Sequence, residues 1–483
     1  MPGATLRPVT DDTPFLAPDD ARALAASLRA VLEATRAGLG DDRGSALVAA
    51  VTDHLGVDLA GVVSVSAGFP EWEHATLQRA VDAYLAAHGP PAPWFGAAGS
   101  GRHHEDTLSM LVGARHHAGY ELGAVDLSTA AVGPDEVVEV VRHGLVASRA
   151  PDGTPVVLGV RGGQEHMDPQ CRFEVLAAER GTAAAVRQEV EDLMRAYDVL
   201  RGQVLAFGVS EHRGNELLTF LPRPALRPDD VVLPEGLLQE VEDHVVGTAA
   251  HGARLLAAGQ HLKRGLLLHG PPGTGKTHTV RYLMGRLPGA TVVVLTGPAM
   301  RFIPVAAALA RRLQPSVVVV EDVDLVAMDR SFSPDGNPLL FSLLDAMDGI
   351  GADADVTFVL TTNRAADLEQ ALVDRPGRVD LAVEVPRPDA AGRRRLLQLY
   401  AGATLAPGDL EPVVTRTDGV TASFVKELVR RAVLGALRRG GDGPPVVGVD
   451  DLGAALDAMT GERSALTRSL LGVRDARRGE GGR

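Results

Sequence analysis

The sequence predicts an α/β protein. At its centre is a three-layer parallel sheet with a C-terminal helical subdomain, preceded by a helical segment and an α+β domain. Three observations carry this. Between Asp229 and Val385, valine-rich runs such as Val317–Val320 and Val356–Leu360 alternate with helix-patterned stretches. Such runs are the mark of parallel strands buried on both faces. The segment Pro222-Arg-Pro224-Ala-Leu-Arg-Pro228 separates this part from what precedes it. From Pro386 to about Thr460 the apolar period is helical again.

In chain order, residues 1–123 read as mainly helical. Leu24, Leu28, Val31 and Leu32 share one face, with Gly38 as the stop. A second helix carries Leu47, Val48, Val51 and Leu55, and a third Leu77, Val81, Tyr84 and Leu85 before the break at Gly89-Pro90-Pro91. Residues 124–221 read as an α+β domain. Val137–Ser148 and Val156–Val160 flank the Asp152-Gly153 turn, Phe173–Ala177 follows, then a helix from Thr182 to about Tyr197. Val204–Phe207 and Leu217–Leu221 complete it as strands. Residues 222–228 are the linker, 229–385 the sheet-bearing subdomain, 386–465 the helical subdomain and 466–483 an Arg- and Gly-rich tail expected to be disordered.

At 483 residues the chain has room for several cores. No apolar run approaches the ~18 residues of a membrane span, and the N-terminus lacks a signal-peptide pattern. A single cysteine, Cys171, excludes an internal disulfide framework and fits a reducing compartment, so a cytoplasmic location without membrane association is expected. The net charge of −14 argues against a broad phosphate-binding face, which makes nucleic acid a poor default partner.

The chemistry is concentrated in Leu266-Leu-Leu-His-Gly270-Pro271-Pro272-Gly273-Thr274-Gly275-Lys276-Thr277. An apolar strand enters a glycine-rich loop of pattern G-x-x-x-x-G-K-[ST], and a helix follows. Glycines let backbone N–H groups close around a phosphate, and the helix start directs its positive end at the anion. Lys276 is one of only three lysines among 48 basic residues. A composition that otherwise chooses arginine keeps lysine where a planar guanidinium would not fit. Gly270, Pro271, Pro272, Gly273, Thr274, Gly275, Lys276, Thr277 and His278 are therefore the expected contacts to a nucleoside triphosphate, with the Thr277 hydroxyl on Mg²⁺.

Further along, Val317–Val320 ends in Glu321-Asp322-Val323-Asp324. Acids at the C-terminal end of such a strand emerge where ligands bind in these sheets. Glu321 is expected to hold Mg²⁺ through water, and Asp322 to activate the attacking water. Residue length argues the other way, since the longer Glu321 reaches further, so the assignment rests on strand geometry. Asn363, at the end of Val356–Thr362, can orient that water. In Asp374-Arg375-Pro376-Gly377-Arg378, two arginines on a Pro-Gly turn suit a phosphate contact across a subunit boundary.

With these residues in order, Asp229 to Met459 resembles an AAA ATPase module, of the branch carrying R-P-G-R. Gly270–Thr277 resembles Walker A, Val317–Asp322 Walker B and Asn363 sensor 1, while Arg375 and Arg378 match the two arginine fingers. Thr417-Asp-Gly419-Val-Thr421-Ala422-Ser423-Phe424 is similar to the lid segment, and Val231, Val232 and Leu233 stand where the family's adenine-contacting linker lies. The resemblance implies a P-loop NTPase fold and a ring, usually a hexamer, hydrolysing ATP with Mg²⁺ at subunit interfaces. Residues 1–221 would recognise a protein substrate or adaptor. The competing reading is a nucleotide-dependent assembly switch or scaffold. Two features depart from the family pattern. The acid pair is reversed, and the segment from Gly297 to Pro315 is short, with Phe302 its only aromatic and no glycine after it. That second departure weighs against threading of an unfolded chain.

Other candidates read as ordinary structure. His103-His104 and His116-His117 lack ligand spacing. Arg393-Arg-Arg395 reads as a solvated face, Leu339–Met347 as core, Cys171 as an inert strand residue, and Trp72 and Trp94 as packing.

Overall fold

The computed structural model describes residues 18–38, 42–89, 92–99, 106–115, 120–163, 169–209, 216–324, 338–364, 378–440 and 444–460. The chain separates into two compact units. One is Met1–Ala130 with Val138–Tyr197, the other Ala131–Val137 with Asp198–Arg483.

The first unit is built on strands β1 (Val63–Pro70), β4 (Asp126–Ala131), β5 (Val137–Arg149), β6 (Pro155–Arg161) and β7 (Gln170–Ala177), in the order β1-β7-β6-β5-β4. A short ribbon of β2 (Gly96–Ala98) and β3 (Glu121–Gly123) stands beside them. Alternate residues of the large sheet serve two cores. Leu158, Val160, Phe173 and Val175 pack with α3 (His74–Ala87) and α5 (Arg180–Ala196). Leu145, Val157 and Leu176 pack with α2 (Asp42–Leu55) and α4 (Thr107–Arg115). With both faces covered, β6 is apolar from Pro155 to Val160, as Pro155-Val-Val-Leu-Gly-Val160 shows. Helix α1 (Pro18–Gly38) forms as its period predicts, but Leu24, Leu28 and Val31 remain 49%, 55% and 63% exposed.

The second unit holds a seven-stranded sheet. Its strands are β8 (Val204–Val209), β9 (Glu216–Leu221), β10 (Arg264–His269), β11 (Thr291–Leu295), β12 (Ser316–Val320), β13 (Val356–Thr362) and β14 (Leu381–Glu384), in the order β14-β10-β13-β12-β11-β8-β9. All neighbours are parallel except β9, which pairs antiparallel with β8. The helices of this part are α6 (Leu237–Glu242), α7 (Thr248–Ala250), α8 (Gly252–Ala257), α9 (Lys276–Arg286), α10 (Ile303–Arg312) and α11 (Pro338–Asp348). Strands β10, β13 and β12 are adjacent and level, with His269 beside Thr362 and Leu360 beside Val320, so their C-terminal ends open onto one crevice.

A helical subdomain of α12 (Ala390–Ala401), α13 (Glu411–Arg416), α14 (Ala422–Arg438) and α15 (Val449–Thr460) follows, around Leu397, Val414, Phe424, Leu428 and Leu456. Side-chain caps start two of these helices. Asp389 accepts from the Gly392 N–H at 2.7 Å, and Thr421 accepts from the Phe424 N–H at 3.4 Å.

The domain boundaries differ from those the sequence predicts. Residues 1–123 are not a separate helical region, because β1 pairs with β7 from Val63↔Ala177 to Pro70↔Gln170. The 124–221 domain ends early, because β8 and β9 join the second unit's sheet, β8 lying parallel to β11 with Val204 opposite Val292. Nor is 222–228 a passive linker. The Arg223 guanidinium donates to the carbonyls of Met284, Leu287, Gly202 and Ala290 at 2.7–3.0 Å, tying the C-terminal end of α9 to the turns that precede β8 and β11.

Candidate nucleotide site

Leu266, Leu267 and Leu268 are fully buried in β10, which fixes where the loop after it begins. Two glycines are required by what surrounds them. Gly270 has φ +137°, and a Cβ there would lie 2.4 Å from the Val385 carbonyl oxygen. Gly273 has φ +77°, and a Cβ would lie 2.9 Å from Ser423 Oγ of α14. The Gly273 carbonyl accepts from the Ser423 N–H at 3.0 Å, so the helical subdomain rests directly on the loop. Gly275 caps α9, and Thr274 braces the turn through a 3.0 Å bond from Oγ1 to the Pro271 carbonyl.

Lys276 is the first residue of α9 and is 6% exposed. Its ammonium donates to the Gly270 and Pro271 carbonyls at 2.8 and 3.0 Å and to Asn363 Oδ1 at 2.8 Å. Burial pushes its pKa down, while the nearby Asp322 and Asp324 carboxylates oppose the shift. Burial pushes the pKa of the Glu321 carboxyl up; the nearby Thr277 hydroxyl and Arg281 pull it back, and the Asp322 charge adds to the rise. His278 bonds the Asp230 carbonyl through Nε2 at 2.9 Å, tying α9 to the segment that leads into Val231–Leu233. Val231 is buried in the sheet's core, and Val232 packs against the helical subdomain's core.

At the end of β12 the two acids part. Asp322 is the only non-glycine with positive φ among the described residues, at 54°. The left-handed region admits Asp and Asn more readily than longer side chains, so the reversed order puts the better-suited acid at the bend. Its N–H donates to Thr361 Oγ1 at 2.9 Å, and its carboxylate accepts from Asn363 Nδ2 at 3.2 Å. Asn363 thus spans Lys276 and Asp322, while the Thr277 hydroxyl is near enough to Glu321 to act on its carboxyl.

Asp324 belongs to this network too, although sequence reasoning assigned it no role. It is 6% exposed and accepts from Thr362 Oγ1 and the Asn363 N–H at 3.2 and 3.1 Å. The available signal was a second acid two residues beyond Asp322.

Arg378 is 6% exposed and forks onto Asp348, with Nε and Nη2 at 2.9 and 2.6 Å from its two oxygens. This contact raises the guanidinium's pKa further. Arg375, His103, His104, His116 and His117 lie outside the described residues. Among the described residues no group of three or more His, Cys, Asp or Glu could hold a metal ion.

Some of the residues read as ordinary structure behave otherwise. Arg393 is buried, donating to the Val414 and Pro388 carbonyls and pairing with Asp418, whereas Arg394 is half-buried and Arg395 exposed, each in an ion pair. Phe302 is also buried, its ring 5.8 Å from that of Phe207 in β8.

A mainly parallel sheet with a glycine-rich loop after β10, acids after β12 and an amide at the end of β13 between them defines a P-loop nucleoside triphosphatase module. Residues 266–387 match the family model described as ATPase family associated with various cellular activities (AAA), and the chain carries an AAA-family ATPase module. It is 34% identical over 223 residues to ATP-dependent zinc metalloprotease FtsH 2 of Symbiobacterium thermophilum, a match covering 43% of this chain and 37% of that protein. The FtsH protein of the same description from Acidimicrobium ferrooxidans is 34% identical over 234 residues, 45% of this chain and 35% of its own. That of Mycobacterium tuberculosis is 31% identical over 258 residues, 50% and 33% respectively. The chain thus spans about a third of the length of these relatives. Its 483 residues contain no H-E-x-x-H sequence, so the zinc chemistry in the relatives' name has no such motif here.

Proposed function

We propose that this protein binds ATP with Mg²⁺ in the crevice above β10, β12 and β13 and hydrolyses it. The observation that carries this is the Asn363 side chain, which joins the loop lysine to the acid at the end of the neighbouring strand: its Oδ1 accepts from Lys276 and its Nδ2 donates to Asp322. The residues suit the ligands. Positive-φ glycines leave a backbone cradle, a helix N-terminus adjoins it, and a hydroxyl beside a carboxylate is an oxygen donor set for a hard divalent ion. When bound, the ion neutralises charge on the phosphate oxygens.

Each side chain then has one task. Lys276 exchanges its loop carbonyls for phosphate oxygens. Thr277 and Glu321 hold the metal side, Glu321 through water. Asn363 orients the attacking water and Asp322 accepts its proton. Val231–Leu233 lie against the base, with His278 fixing their approach. Arg375 supplies the charge that reaches a neighbouring subunit's phosphate in a ring, and Arg378 takes that role only by leaving Asp348. ATP turnover drives remodelling of a protein or complex recognised through the first unit.

A nucleotide-dependent assembly switch is the second reading. It is favoured by the burial of Phe302, which leaves the segment after β11 without a presented aromatic. Lys276→Ala tests the shared premise, since it removes a charge-assisted phosphate contact and should weaken ATP binding ~10²-fold. Wild-type affinity in that variant would sink both readings. ATP hydrolysis stimulated by a captured partner would favour remodelling over the switch.

A further inference from the structure

We propose that Asp324 is a positioning residue for hydrolysis: its buried carboxylate holds the end of β13 so that the Asn363 side chain stands between Lys276 and Asp322. This rests on the proposed ATPase reading and adds a residue to it.

The geometry is specific. One carboxylate oxygen accepts both from Thr362 Oγ1 and from the Asn363 main-chain N–H, and the same Thr362 oxygen accepts from the Arg364 N–H at 3.0 Å. Three successive residues at the strand end are therefore organised by one acid and one hydroxyl. Asn363 Oδ1 then meets Lys276 at 2.8 Å and its Nδ2 meets Asp322 at 3.2 Å. Among the described residues the hydrogen bonds of Asp324 go to Thr362 and Asn363, so it acts on the site through Asn363. Displacing a water-orienting group by about 1 Å costs on the order of 10²-fold in rate, while ground-state binding tolerates it. The charge of Asp324 has a separate consequence. It lies near enough to Lys276 to favour the ammonium, so it stabilises the nucleotide-free arrangement and opposes an incoming anion.

The test compares Asp324→Ala and Asp324→Asn with the wild type in the full chain, measuring kcat, KM and equilibrium binding of a fluorescent ATP analogue. Asp324→Ala should lower kcat by about 30- to 100-fold. Its nucleotide affinity should stay within about threefold of wild type or tighten. Asp324→Asn keeps an oxygen that accepts both bonds and should recover most of kcat, with affinity equal to or tighter than wild type. Wild-type kcat in Asp324→Ala overturns the proposal, and so does a loss of nucleotide binding in both variants. Equal loss of kcat in both, with binding intact, also overturns it, because the charge rather than the two bonds would then matter. If Asp324→Ala fails to fold, Asp324→Asn decides alone, and a kcat below about a tenth of wild type with intact binding refutes positioning. A wild type that binds the analogue without hydrolysing ATP would instead refute the ATPase reading.

Discussion

Asp322→Asn is the most informative single change to the acid pair, because the structure gives the two acids different partners. The substitution keeps the shape and an acceptor for Asn363 Nδ2, and Asn tolerates the φ of 54° at this position. What it removes is a proton acceptor and a charge. Loss of a general base lowers the chemical step by roughly 10²- to 10⁴-fold. The charge acts on binding in the opposite direction. One amide separates Asp322 from Lys276, a distance of ~7 Å, at which a unit pair is worth ~2 kcal/mol with an effective dielectric of ~20. Removing that charge frees Lys276 and relieves repulsion of the γ-phosphate. ATP affinity should therefore hold or tighten, by up to about tenfold. Glu321→Gln should leave the base in place and weaken the Mg²⁺ dependence of binding. Rapid-quench single turnovers and magnesium titrations of nucleotide affinity separate the two. If Asp322→Asn turns over ATP at the wild-type rate while Glu321→Gln traps it, the assignment is reversed.

Three further outcomes follow from the contacts described. Arg378→Ala and Asp348→Ala should each destabilise the second unit, with a coupling of about 1–2 kcal/mol in a double-mutant cycle by denaturant melts, because Asp348 is partly exposed; additive effects would show the fork is inconsequential. Phe302→Ala should cost about 2–4 kcal/mol of stability and leave basal ATPase per folded molecule unchanged, whereas an undiminished melt with lost partner-stimulated turnover would give Phe302 a contact role after all. The Glu321 carboxyl, raised by burial, binds its proton more tightly folded than unfolded. Its contribution to stability is therefore full below the unfolded value and lost as pH rises through the folded one. Thermal melts of the nucleotide-free protein should show that component vanish in Glu321→Gln, and Mg²⁺ affinity should fall as pH drops through the same window.

The nucleotide loop was legible in the sequence because each of its residues is demanded by local backbone geometry, which a run of letters carries. The directions of Glu321 and Asp322 were expected from strand alternation, but β12 ends at Val320 and Asp322 turns into the left-handed region, so the local backbone sets them instead. The other misreadings were all non-local. Val63-Ser-Val65-Ser-Ala67 alternates with period two, but it sits among helical segments, and its partner β7 lies far along the chain. Nothing in Val204–Phe207 says which of two sheets it joins. Three consecutive arginines read as a solvated face, yet successive residues on a helix point about 100° apart. Only Arg393 therefore turns inward, where carbonyls and Asp418 receive it. Asp324 escaped notice because its bonds are to the main chain and hydroxyl of a different strand.

The reassigned β8–β9 hairpin and the buried Phe302 are two sides of one arrangement. After β11 the chain makes a tight turn, Gly297–Phe302, and enters α10 at once. In a sheet ending at β11 the aromatic of that turn would have no wall to pack on. Adding β8 supplies one in Phe207, and Arg301 closes over the Phe302 ring at 4.7 Å. The short segment and the absent glycine therefore reflect a turn shaped for packing, consistent with Phe302 as a core residue. The chain leaving α5 passes through Asp198–Gln203 into a strand hydrogen-bonded to β11, and Leu295 at the end of β11 receives the Glu321 N–H at 3.1 Å. The strand that follows α5 thus stands two strands from β12, whose end carries Glu321 and Asp322.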